Sequence, residues 1–483
     1  MVYDVLIIGA GVTGAMLARE LSRYQLNICI LEKENDVAAG ASKANSGIIH
    51  GGYDPVPGTR KAKLNTAGTP LLFAAAEQLH VPYHRNGSMV CAFGSDEEHA
   101  LLEKLLLRGR ENGITDLKLL SGREARSLEP NLSPEVSKVL YIPNSGIISP
   151  YELTVAAIGN AMDNGVHFRR NFEVVSIERT EECFLVGSAD GAVLRGKWLV
   201  NCAGGHSDQI ARLAGDGFFT ITPRAGEYML LDKAEGSRIS HTLFQCPTGA
   251  GKGILVTPTV HGNLLVGPTA VKVDAPESKD TTQAGLSTVQ ELAAKTVPSI
   301  HFRQVITAFT GVRATGNTGD FILEASKKVP GLIHAGAIES PGLTCCVSIA
   351  RYLVDLLADA GLPLHQKETW DGTRRDMHAF RNMSDAEKDA FIKQNPAYGK
   401  IVCRCELISE GEILDAIRTN PGARDLDGVK QRTRSGMGRC QGGFCGPYVM
   451  ELLSRELNIP MEEVTKSGGA SRLLTGRIGD TKC

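Results

Sequence analysis

Val5-Leu6-Ile7-Ile8-Gly9-Ala10-Gly11-Val12-Thr13-Gly14 opens the chain's first structural unit. The apolar run reads as a buried strand, and Met16, Leu17, Leu21 and Tyr24 then recur at helical spacing. Ile28-Cys29-Ile30-Leu31 is apolar again, which completes a βαβ unit. Gly9, Gly11 and Gly14 stand at the strand-to-helix turn, where bare backbone lets a pyrophosphate approach and the helix dipole favours its charge. Glu32, at the end of the second strand, is placed to accept from a ribose 2′-hydroxyl and disfavours a 2′-phosphorylated cofactor. The motif announces a dinucleotide without separating FAD from NAD.

At 483 residues the chain exceeds what one core usually serves, so two or three domains are expected. Its 52 basic and 54 acidic side chains leave a formal charge of -2, with no electrostatic case for nucleic acid or an anionic membrane surface. Small-molecule chemistry is the default. No basic n-region precedes the first strand and no apolar run reaches the roughly 18 residues of a membrane span, so a cytoplasmic protein is expected, with docking at a membrane through a partner left open. Eight of the twelve cysteines (29, 91, 183, 202, 246, 345, 346 and 483) lack ligand-like spacing and fit reduced thiols.

Further strand signals are Trp198 to Cys202, ending in Ala203-Gly204-Gly205, and Leu332 to Ile338, before a helical stretch from about Thr344 to Ala358. Between them lie β-rich segments such as 253–258 and 263–268 with glycine and proline turns, read as an antiparallel sheet. Two loops carry functional promise. Ala41-Ser42-Lys43-Ala44-Asn45-Ser46-Gly47-Ile48-Ile49-His50 is small, polar and ends in one titratable ring, suited to lie against a flat ring system, although a surface loop has the same composition. Glu339-Ser340-Pro341-Gly342-Leu343-Thr344 precedes a helix whose N-terminus would face the electron-rich edge of a reduced flavin; a simple helix start reads the same way.

On these segments, with 251–253, 262–270 and Arg313, residues 1 to about 365 resemble the glycerol-3-phosphate oxidase and dehydrogenase branch of the D-amino-acid-oxidase-like (DAO) superfamily of FAD enzymes. L-2-hydroxyglutarate oxidases are near relatives of that branch. The resemblance implies an α/β fold: a Rossmann-like FAD-binding domain (1–80, 145–215 and 305–365) with an inserted antiparallel-sheet substrate domain (81–144 and 216–304). It implies His50 as catalytic base, and Ser46, Lys252, Arg313 and Ser340 as substrate contacts. It also implies that Thr13, Glu32, Ala41, Ser42, Gly47, Ile48, Val174, Glu339 and Thr344 line the FAD. The chemistry agrees, because a neutral imidazole suits removal of a hydroxyl proton while hydride leaves carbon. Lys252 and Arg313 suit a phosphate or a remote carboxylate. Glu339 departs from the branch, where a basic residue precedes Ser-Pro-Gly.

A polar linker or wrapping arm (366–398) leads to Cys403-Arg404-Cys405 and Cys440-Gln441-Gly442-Gly443-Phe444-Cys445. Two thiolate pairs suit an iron-sulfur cluster or a structural zinc, and zinc sites more often use C-x2-C pairs. With Arg432 to Arg439, the spacing resembles the bacterioferritin-associated-ferredoxin-like (BFD-like) [2Fe-2S] domain, which implies a small, mainly helical domain over 399–460 and a tail over 461–483. Arg432, Arg434 and Arg439 either compensate cluster charge or are solvated. A two-electron flavin beside a one-electron centre favours a dehydrogenase delivering to an acceptor protein or quinone-linked subunit. The expected reaction is oxidation of sn-glycerol 3-phosphate to dihydroxyacetone phosphate. The rivals are a 2-hydroxy acid dehydrogenase such as one acting on L-2-hydroxyglutarate, and a non-catalytic electron-transfer subunit.

Overall fold

The computed structural model describes residues 1–247 and 253–476. β1 (Val2–Ile8), α1 (Val12–Leu21) and β2 (Ile28–Leu31) form the βαβ unit read from the sequence. β1 lies between β2 and the Val193–Asn201 strand, parallel to both, and Leu332–Gly336 adds parallel beyond the latter. Both faces of this sheet are covered. Val5 and Ile7 join one core with α1 and the helices Arg60–Gln78, Pro150–Asp163 and Gly342–Asp359, whereas Leu6 and Ile8 enter another with Phe184 and Leu199. Burial on both faces is why β1 is continuously apolar rather than alternating.

Two local readings are corrected. α1 ends at Leu21, and Tyr24 forms an isolated bridge to Gln366, because the Ser22 hydroxyl donates to the Arg19 carbonyl (2.7 Å) where the helix stops. The third strand stops at Gly336 because Ala337 takes a left-handed conformation (φ 55°).

The second sheet has nine strands built around a long antiparallel pair, Ile221–Leu231 with Val305–Gly316, which runs from Ile221 opposite Gly316 to Leu231 opposite Val305. Residues 305–316, expected within the FAD-binding segments, are therefore hydrogen-bonded into the substrate sheet. That sheet is antiparallel except where Thr242–Gln245 runs parallel to Ser88–Ala92.

From residue 366 the chain wraps the first unit. Trp370 receives Arg23 at 3.9 Å over its ring, and the carbonyls of Asp371 and Thr373 accept from Asn160 (2.9 Å each). A compact C-terminal unit follows, with helices Glu410–Arg418, Leu426–Thr433 and Gly446–Leu457 around Cys403, Ile413, Val429, Cys445 and Leu453. Val464 is buried in this core and Thr465 bridges to Arg472, so the described part of the expected tail packs on the domain; 477–483 lie outside the described residues.

Asp36, on the loop after β2, receives Arg432 in a two-pronged ion pair (2.6 and 2.7 Å) that is nearly closed to solvent. Burial alone pushes the Asp36 carboxyl up, but Arg432 outweighs it and holds the group below the usual carboxylate range. Replacing Asp36 with alanine strands the buried guanidinium and is expected to cost about 3–5 kcal/mol at pH 7. Because the folded pKa is depressed, this stabilisation is complete above the unfolded carboxylate range, roughly pH 4, and is lost as pH falls through the folded value. Denaturant unfolding of the two proteins should therefore diverge at neutral pH and converge in acid.

Candidate active site and iron-sulfur site

A cavity of about 1400 Å³ runs between the two sheets and reaches the C-terminal unit. Gly9, Gly11 and Thr13 form one end of it. Gly9 adopts a φ of +104°, and a Cβ there would stand 2.5 Å from the Cys202 carbonyl oxygen. On Gly14 a Cβ would stand 2.1 Å from the Gly9 carbonyl oxygen; this glycine lets helix and turn pack and lies behind the cavity wall. No side chain of Gly11 caps α1, and the Val12 N–H donates to Ser42 Oγ at 2.9 Å. Glu32 is buried, accepting from the N–H groups of Ala10 (2.8 Å) and Glu34 (3.0 Å) through different oxygens. Burial raises its pKa against those two bonds. Each oxygen retains a further lone pair and Glu32 lines the cavity, so the bare turn, the helix start and the acid fit the dinucleotide half of FAD.

The loop from Ala41 to His50 is folded by Asn45, whose side chain donates to the Ala41 carbonyl (2.9 Å) and accepts from the Gly47 N–H (2.8 Å). Gly47 (φ +65°) has no room for a side chain, since a Cβ would meet the Ile148 carbonyl oxygen at 2.4 Å. Ala41, Ser42, Ser46, Gly47, Ile48 and His50 all line the cavity, as do Val174, Glu339 and Ser340. Thr344 does not. It is buried, accepting the His50 N–H (2.9 Å) and donating to the Ile48 carbonyl (3.3 Å), so it props the loop from behind.

His50 is held from every side. Its carbonyl accepts from Asn65 (2.9 Å) and Thr69 (2.8 Å), its ring stacks on Phe244 with centroids 6.1 Å apart, and Nε2 lies 3.2 Å from Ser340 Oγ. Arg313 comes from the second sheet, where it stands opposite Arg224 in the long strand pair, and both line the cavity. Gly226 leaves space for it, since a Cβ there would fall 3.1 Å from Arg313 Nη2. Lys252 lies outside the described residues. Glu339, the departure from the family pattern, pairs with Lys61 Nζ (2.9 Å) and accepts from the Thr315 hydroxyl (2.8 Å). Phe244, Lys61 and Arg224 went unread in the sequence because they arrive from distant strands and helices with no motif of their own.

The four cysteines fall into two touching pairs: Cys405 and Cys440 with sulfurs 3.6 Å apart, and Cys403 hydrogen-bonded to Cys445. The hydrogen bond from Cys445 lowers the pKa of the Cys403 thiol, helped by N–H groups of Gly436, Glu406 and Cys405, and raises that of Cys445 itself. Backbone N–H groups of Phe444, Gly442 and Gly443 likewise lower the pKa of Cys440. Among the described residues no three His, Cys, Asp or Glu side chains converge on one metal position. Two thiolate pairs with amide donors around the sulfurs suit a two-iron cluster better than a single tetrahedral zinc. The 403/445 pair is buried and Cys405 is exposed. Arg432 and Arg434 are neither solvated nor free to offset cluster charge: both are buried, one on Asp36, the other on Glu406 (3.0 Å) and Asn263 (3.2 Å).

A βαβ dinucleotide turn, a cavity with a fixed imidazole and a cation, and a paired-thiolate domain define an oxidoreductase that carries a flavin and an iron-sulfur group. The family profile described as FAD dependent oxidoreductase (DAO) matches residues 4–356, and the BFD-like [2Fe-2S] binding domain matches 401–455. The chain belongs to the DAO family of FAD dependent oxidoreductases, and its cofactors are FAD and a [2Fe-2S] cluster.

It is 44% identical over 475 residues, 98% of each chain, to a glycerol 3-phosphate dehydrogenase of Caloramator mitchellensis. The FAD-bound, dithionite-reduced L-alpha-glycerophosphate oxidase of Mycoplasma pneumoniae superposes with a TM-score of 0.74 at 33% identity, covering 77% of this chain and 98% of that one. A mitochondrial L-2-hydroxyglutarate dehydrogenase of Nematostella vectensis is 26% identical, over 74% of this chain and 91% of its own. Among the described residues no helix is long and apolar enough to cross a membrane.

Proposed function

We propose that this chain oxidises sn-glycerol 3-phosphate to dihydroxyacetone phosphate and passes the electrons to an external acceptor by way of its C-terminal domain. The observation that carries the reading is His50 Nε2 at 3.2 Å from Ser340 Oγ in a cavity also lined by Arg313. The similarity to the Caloramator enzyme over both domains supports it. As C2–H departs as hydride, the C2 hydroxyl proton goes to His50 Nε2 and the C2–O bond becomes a carbonyl. Ser340 orients the ring and the hydroxyl, Arg313 holds the phosphate, and Lys252 is proposed as its second cation. Gly9, Gly11, Thr13, Glu32, Ala41, Ser42, Gly47, Ile48, Val174 and Glu339 would hold FAD, with Gly14 and Thr344 shaping its site from behind. FAD, when bound, supplies the hydride acceptor. Cys403, Cys405, Cys440 and Cys445 would hold the [2Fe-2S] group, which would supply one-electron chemistry when bound, and of the four Cys405 is the exposed one.

Anaerobic titration of the holoprotein with glycerol 3-phosphate should bleach the flavin absorbance and then the cluster absorbance. Bleaching by L-2-hydroxyglutarate and not by glycerol 3-phosphate reverses the substrate assignment, and reduction only by a partner protein removes the catalytic role. Arg313→Met removes a charge-assisted hydrogen bond worth about 1.5–3 kcal/mol and should raise KM for glycerol 3-phosphate about 10- to 100-fold. Flavin content should be unchanged, as the absorbance ratio of the purified variant would show.

A further inference from the structure

The cavity does not end at the two sheets. The Leu426–Thr433 helix of the C-terminal domain forms part of its wall through Asp427, Lys430 and Gln431, opposite the loop that carries Lys43. That helix is seated on the loop following β2: Asn35 donates to Asp425 (2.7 Å), Arg432 clasps Asp36, and a Cβ on Gly428 would lie 2.9 Å from an Asp36 carboxylate oxygen. Lys43 follows Ser42, whose hydroxyl accepts from the first amide of α1, so its backbone stands beside the dinucleotide turn.

Lys43 and Lys430 are each only partly exposed and lie close enough to repel each other. Neither has a carboxylate within ion-pair distance among the described residues. Their neighbours Asp425 and Asp427 are engaged elsewhere, by Asn35 and by Lys466 (2.8 Å). Burial pushes the pKa of both ammonium groups down, Lys430 further through Lys466 and Lys43, although Asp427 opposes this. Two such cations from different domains, both lining the cavity that also holds the dinucleotide turn, are suited to an anionic ligand.

We infer that Lys43 and Lys430 close on the pyrophosphate of FAD from the two domains, so that the iron-sulfur domain is itself part of the flavin-binding site. A pyrophosphate carries two negative charges, and each lysine would donate a charge-assisted hydrogen bond to it. Flavin and cluster occupancy would then be linked, because the Lys430 helix leads directly into the segment that carries Cys440 and Cys445.

The test is FAD binding to flavin-stripped, cluster-loaded protein, followed by quenching of flavin fluorescence, for Lys43→Met, Lys430→Met and Lys393→Met. Each of the first two variants should bind FAD about tenfold or more weakly. Lys393→Met, exposed on the Asp385–Gln394 helix and away from the cavity, should bind it like the parent. Riboflavin, which has no pyrophosphate, should show no difference among the proteins. Iron content and the cluster absorbance, which an unfolded C-terminal domain would lose, should stay at parent level in all three. Parent-like FAD affinity in Lys430→Met overturns the inference. So does a rise in KM for glycerol 3-phosphate in FAD-saturated Lys430→Met with FAD affinity intact, which would give the lysine to the substrate phosphate.

Discussion

His50→Gln is expected to slow anaerobic flavin reduction by glycerol 3-phosphate by about 10²- to 10⁴-fold, the usual contribution of a positioned general base. Glutamine keeps a polar group facing Ser340 but accepts no proton at neutral pH. The backbone bonds that fix residue 50, from Thr344, Asn65 and Thr69, do not involve the ring, so loop and cavity should survive the change. FAD content of the purified variant should therefore match the parent, which separates lost proton transfer from lost cofactor. A reduction rate within tenfold of the parent in stopped-flow measurements would remove His50 from the role of base.

The second large effect is expected from Cys405→Ser, which should abolish the visible absorption and the electron paramagnetic resonance signal of the reduced cluster. Cys405 is the exposed member of the pair with Cys440 and packs outside the buried core that Cys403 and Cys445 help to form. The domain should therefore keep its helices while losing a ligand. Substrate should still reduce the flavin, whereas turnover with a one-electron acceptor should collapse. Unimpaired turnover in a cluster-free protein would mean that electrons leave directly from the flavin.

How much of this was legible differs from residue to residue. The βαβ unit was, because the strand's continuous apolar run, the glycine spacing and Glu32 all lie within a short stretch and answer local requirements of backbone approach and burial. The four cysteines were legible for the same reason, but not their pairing, since the sulfurs that meet lie across the two motifs, 405 with 440 and 403 with 445. The limits of local reading show at Tyr24, where helical spacing persists past the turn that ends α1, and at 305–316, whose strand pairs with a partner some eighty residues away. Neither event leaves a mark in its own neighbourhood of sequence.

The sequence by itself determined the chemical inventory: a dinucleotide turn with its acid, one histidine at the end of a small polar loop, a cation in a β-rich segment and four cysteines in two pairs. Only the tertiary structure decided which of these meet. It brought Ser340 to the His50 ring, placed Phe244 beneath that ring, moved Thr344 behind the wall and set Arg224 next to Arg313. It also reassigned Arg432 and Arg434 from the cluster to the domain junction. The physical reason is that a motif encodes what its own backbone can bind. Convergence of side chains far apart in sequence is fixed by sheet register and by burial of charged pairs between domains, and these depend on the whole chain at once.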